Sequence, residues 1–153
     1  MAAPNTQATN LDVNANIGKY HVTFPVTLAT LNDAAQFTIV PGHKGRILSM
    51  DYYAHTPATT AAKLSTLTPS IGGVNVTGGV IALTTASADT RNEKTPGTAI
   101  TANNSFSATD TITITASATT AFVEGNGKID VVLVNDDTRE ALARALGGLR
   151  TGT

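Results

Sequence analysis

The chain contains no cysteine and no tryptophan. The first absence excludes disulfides, thiol chemistry and cysteine-built zinc sites. The second, together with only two methionines, argues against a tryptophan-based sugar platform and a pliable hydrophobic groove. Charge is also sparse. Only 14% of residues are Asp, Glu, Lys or Arg, and the net charge is −1. No basic field exists to hold phosphates, so a nucleic-acid partner is not expected. No run of about 18 apolar residues occurs, so no membrane-spanning helix is expected. The opening MAAPNTQATNLDVNAN has neither a basic n-region nor an apolar h-region and does not read as a signal peptide. Without a secretion signal, the sequons Asn75-Val76-Thr77 and Asn103-Asn104-Ser105 are not expected to carry glycans.

What remains is rich in Thr, Ala, Asn and Gly, and Thr favours strands. A length of 153 residues suits one domain. Tyr20–Leu28 alternates cleanly, with Tyr20, Val22, Phe24, Val26 and Leu28 inward. Pro25 cannot donate to a ladder, which places this strand at a sheet edge. Gln36–Val40 reads as a short strand and Pro41-Gly42 as a turn. Gly45–His55 reads as a strand with Leu48, Met50, Tyr52 and Ala54 on one face. Ile47, Ser49, Asp51, Tyr53 and His55 share the other. Gly72-Gly73 and Gly78-Gly79 suggest short strands joined by tight turns over Ser70–Leu83. The charge cluster in Thr84–Asn104 reads as a solvated loop.

Thr109–Ala116 and Gly127–Val134 are the strongest strand signals and read as a central hairpin. The first alternates Ile112, Ile114 and Ala116 against threonines. The second is apolar on both faces, because Val132 and Val134 oppose Ile129, Val131 and Leu133. Such a strand must be covered on both sides.

The two ends differ from this middle. The division expected is an arm over residues 1–18, a β-sandwich over 19–135, and a helix with a tail over 136–153. The arm is small and polar apart from Leu11, Val13 and Ile17. It is either a frayed terminus or a segment that orders against a neighbouring subunit. Near the other end, Asp136-Asp137-Thr138 offers N-cap candidates, and Asp137 with Glu140 has capping-box spacing. Leu142, Leu146 and Leu149 follow at i, i+4, i+7, with Gly147-Gly148 as a stop signal. About ten residues do not make a stable helix alone, so the leucine stripe needs a surface on its own domain or on a neighbour.

No catalytic constellation emerges. His21, His43 and His55 are far apart in sequence. Asp51 and His55 share a strand face but stand roughly 13 Å apart, beyond common metal coordination. No G-x-S-x-G elbow and no phosphate-binding loop is present. Neither an enzyme nor a cofactor or metal site is expected.

Many short strands with glycine turns point to an all-β sandwich or barrel. The succession GRILSMDYYAHTPATTAA, LTPSIGGVNVTGG and NNSFSATDTITITASATTAFVEGNGKIDVVLV resembles the small jelly-roll virion proteins of tailed bacteriophages, the head decoration or cement proteins. That resemblance spans about Tyr20–Val134. It implies a β-sandwich of jelly-roll type on the capsid surface of a virion, made in the host cytoplasm. Such proteins are often trimeric and staple neighbouring major capsid proteins. Partner contact is then expected at Leu11, Val13 and Ile17 in the arm and at Leu142, Leu146 and Leu149 in the helix. A second reading is a carbohydrate- or receptor-binding sandwich of a phage tail or cell surface, with an exposed aromatic shelf near Tyr53.

Overall fold

A computed structural model describes residues 17–32 and 36–151, with side chains through residue 147. Its elements are β1 (Lys19–Thr27), β2 (Gln36–Ile39), β3 (Gly45–Thr56), β4 (Leu64–Ile71), β5 (Val74–Asn75), β6 (Ile81–Thr84), β7 (Lys94–Pro96), β8 (Ser105–Phe106), β9 (Ile112–Thr120), β10 (Asn126–Asn135) and the helix α1 (Asp136–Thr151). One sheet runs β1-β10-β3-β7, with β8 also on β3. The other runs β2-β9-β4-β5, with β6 also on β4. Every pairing between these strands is antiparallel. Successive strands β1 to β4 alternate between the sheets, and β9 and β10 do so again. Interleaving of this kind is the double Greek key of a jelly roll.

The inner faces meet in one core. Ile47, Met50, Tyr52, Ile129, Val131 and Leu133 come from the first sheet, and Leu67, Ile81, Leu83, Ile112, Ile114 and Ala116 from the second. Each is essentially inaccessible to water. As Pro25 requires, β1 is an edge: it pairs with β10 alone. Its inward Tyr20, Val22 and Phe24 are therefore only partly buried against the core.

Three expectations need correction. First, β9 and β10 are not a hairpin. They lie in different sheets. The intervening segment inserts Phe122 into the core and crosses the end of the sandwich, where the Gly125 carbonyl accepts from the Leu28 N–H at 2.9 Å. Second, β3 changes phase at Leu48. Val132 opposes Ser49 while Leu133 opposes Ile47, so Leu48 is an extra residue in the ladder. Such a bulge rotates the alternation by one position, and Ile47 joins Met50 and Tyr52 inside. Third, the charge cluster is not all loop, since Lys94–Pro96 pairs with β3 as β7.

Glu124 secures the crossover. Its Oε1 accepts from the backbone N–H and the hydroxyl of both Thr59 and Thr60, at 2.6–2.9 Å. These donors favour the carboxylate and pull its pKa from 4.5 down to about 2. The unfolded chain therefore binds the proton more readily than the folded one. The contribution is complete above the ordinary value of 4.5 and drains away as pH falls toward about 2. Glu124→Gln should lower the melting temperature near neutrality, and its difference from the parent chain should shrink as the pH approaches about 2.

At the start of β10, Gly127 permits a close approach. A Cβ there would stand 2.2 Å from the Tyr53 carbonyl oxygen and 2.5 Å from the Tyr52 hydroxyl. That hydroxyl is buried without a hydrogen-bond partner among the described residues. Its burial pushes the phenol up to about 12. Gly127→Ala should destabilise the sandwich by about 1–3 kcal/mol. Tyr52→Phe removes the orphaned hydroxyl and should stabilise by about 1 kcal/mol. The double variant should remain below the parent, because the Tyr53 carbonyl still blocks the new methyl. Urea unfolding midpoints measure all three.

Candidate functional site: the pole that carries both tails

Strand β10 runs directly into the helix. Asn135 is its last residue and also the helix cap, with its Oδ1 accepting from the Thr138 N–H at 3.0 Å. The cap thus sits one residue before the expected Asp136-Asp137-Thr138. The acids are used otherwise. Asp136 accepts from Arg46 Nε at 3.1 Å and Nη2 at 3.0 Å, a two-pronged clamp. Asp137 accepts from the Lys44 N–H at 3.1 Å, and Glu140 takes the Lys44 ammonium at 2.7 Å. No capping box forms, because Glu140 turns to Lys44. The Glu140 carboxylate holds the Lys44 ammonium above its ordinary range, through their hydrogen bond and their charge. All three acids also suit the positive end of the helix dipole.

The turn before β3 is held in its own right. The His43 ring bonds to the Tyr20 hydroxyl through Nε2 and packs edge-on against Phe106. The first turn of the helix is therefore fixed to a rigid base.

The other tail begins at the same place. The Asn135 N–H donates to the Gly18 carbonyl at 2.8 Å. Gly18 has φ +73°, and a Cβ on it would lie 2.6 Å from the Asn135 carbonyl oxygen. A glycine is required where the arm turns past the helix root. Ile17, at the end of the arm, is half-buried. Leu11 and Val13 lie outside the described residues.

The leucine stripe is not absorbed into the sandwich. Leu142 and Leu146 are half-exposed. Neither belongs to the core nor to the partly buried side chains packed against it. Leu149 is within the helix, and its side chain is outside the description. Gly147-Gly148 does not stop the helix, which continues to Thr151. The structure thus brings Ile17 and the root of the helix to one pole.

No family profile and no curated protein matches the chain. Among solved structures, it is similar to a chain of the disulfide-linked pili that form Bacillus endospore appendages. The identity is 17%, over 75% of this chain and 83% of that one, with a TM-score of 0.28. At that score the likeness carries no argument.

Among the described residues there is no cluster of three metal-ligating side chains. Asp51 and Asp130 stand opposite one another on β3 and β10, and both are buried. Lys94 approaches Asp51 at 3.2 Å and His21 approaches Asp130 at 2.8 Å. Each acid thus has a basic partner on the same sheet face. The sequence held no sign of this arrangement, because the four residues come from four strands.

Removing the Asn135 side chain by Asn135→Ala should cost the helix about 1 kcal/mol. The double variant Lys44→Ala/Arg46→Ala should release its first turn. In both cases the far-ultraviolet helical signal should fall while the β-sandwich melts as before.

Proposed function

We propose that the chain is a virion structural protein. It binds the outside of a phage capsid as a homo-oligomer, a trimer in the simplest case, and bridges neighbouring major capsid proteins. The observation that carries this reading is the Asn135–Gly18 hydrogen bond, which roots both tails at one pole of a rigid sandwich. A 16-residue helix extends roughly 24 Å. Its half-exposed leucines need an apolar partner surface to hold them. The jelly-roll topology and its resemblance to phage decoration proteins point the same way.

Such a protein works by covering surface. A stable junction buries roughly 1,200–2,000 Å². Anything that binds the closed shell and not the ruptured one stabilises it by mass action, and many copies add their contributions. Leu142 and Leu146 are the described leucines assigned to this contact, and Leu149, Leu11, Val13 and Ile17 are assigned to it as well.

Deleting Met1–Gly18 or Asp136–Thr153 should reduce occupancy on capsids while leaving the sandwich folded by near-ultraviolet dichroism. Leu142→Asp with Leu146→Asp should act like the helix deletion. Full occupancy after removal of both tails would overturn the proposal.

A further inference from the structure

At the opposite end of β10, a groove of about 670 Å³ opens over the first sheet between β1, β3 and the Asn92 loop. This is within the roughly 300–1,000 Å³ of small-ligand sites. Three local devices shape it. His55 is the extra residue of a second bulge in β3, since Asn126 opposes Thr56 while Gly127 opposes Ala54. Bulges re-aim a side chain, and this one delivers His55 to the groove. Asn92 stands in the left-handed region at φ +66°, with its N–H bonded to the Ala54 carbonyl at 2.8 Å. The neighbouring Glu93 carbonyl accepts from the Ala54 N–H at 2.9 Å, so the loop is tied to β3 on both counts. Gly127 leaves bare backbone in the lining.

Lys44, Arg46, Lys94 and Arg139 each pair with a carboxylate. Lys128 is, among the described residues, the cation without a carboxylate that lies over an aromatic ring. Its ammonium is instead stationed 5.3 Å from the centre of the Tyr53 ring. The side chains of His55, Asn92 and Asn126 likewise have no hydrogen-bond partner among the described residues. One cation, three polar side chains open to solvent and an aromatic ring thus converge on one groove.

We infer that this groove binds a carboxylate-bearing saccharide, with the Lys128 ammonium on the carboxylate, the Asn92 and Asn126 amides on hydroxyls, and the Tyr53 ring against the sugar. Amide side chains both donate and accept, which suits vicinal hydroxyls. A single lysine matches one carboxylate per sugar residue. The lining offers one ammonium and neither an arginine fork nor a helix N-terminus, so a singly charged carboxylate suits it better than a doubly charged phosphate. The groove and the tail-bearing pole lie at opposite ends of β10. A copy held to a shell by its tails would therefore present the groove outward, toward acidic envelope polysaccharide.

The test is calorimetric titration of the full chain with oligogalacturonate and with the same oligomer as its methyl ester. The acid form should bind, and esterification should weaken binding about tenfold or more. Lys128→Gln should weaken the acid form by about the same factor and leave the ester unaffected, while Asn92→Ala should weaken both. Both variants change exposed side chains, so unaltered near-ultraviolet dichroism verifies the fold. The chain lacking Asp136–Thr153 should bind the sugar as the parent does, which separates this site from the capsid contact. Equal affinity for acid and ester, tight binding retained in Lys128→Gln, or no binding to either oligomer would each overturn the inference.

Discussion

The structure depends on the pairing of β10 along both of its edges. Residues 19–27 of β1 run down one side and residues 45–56 of β3 down the other. Ile129, Val131 and Leu133 fill the core face, while Asp130 and Val134 are also buried on the opposite face. A strand with both edges paired and both faces covered cannot shift register without exposing apolar side chains and breaking two ladders. That rigidity makes its two ends dependable landmarks. At one end Asn135 caps the helix and binds Gly18. At the other, Gly127 lines the groove. The two lie roughly 25–30 Å apart at the rise of an extended strand.

Scarce charge is placed locally. The acids at the helix root lock α1 to the start of β3, Glu124 ties the β9–β10 crossover to Thr59 and Thr60, and Asp51 and Asp130 meet Lys94 and His21 across the outer face. Partly exposed ion pairs contribute little stability individually. Their effect here is geometric, since each joins segments that come together only in the folded chain. Lys128 belongs to the cations that take no part in this, and among the described ones it is the one set over an aromatic ring.

Much of the sandwich was legible from period and turn chemistry. The alternation of β1 and β9, the edge position implied by Pro25, and the two-faced burial of β10 all follow from local pattern. The helix was legible in type but not in extent. Its glycine pair reads as a stop, yet glycine only lowers helix propensity by about 1 kcal/mol, and the helix runs on to Thr151. The bulge at Leu48 left no mark, because Ile47 and Leu48 are equally apolar and either could have faced inward. Of the groove, only the β3 face of Tyr53 and His55 was legible. The β1, Asn92 and β10 members lie dozens of residues away and are brought in by strand pairing and by the tie of Asn92 to Ala54.

The amino-acid sequence by itself determined the all-β class, the strand faces and the distinct character of the two ends, because these rest on side-chain period and composition within a few residues. Only the tertiary structure decided which strands share a sheet. Neighbours in the chain, β9 and β10, were separated, and distant strands, β1 and β10, were joined. The physical reason is that a strand's own pattern specifies which face is buried but not which edge it pairs with. That choice is made by packing two sheets around one core, and it places the tails at one pole and the groove at the other.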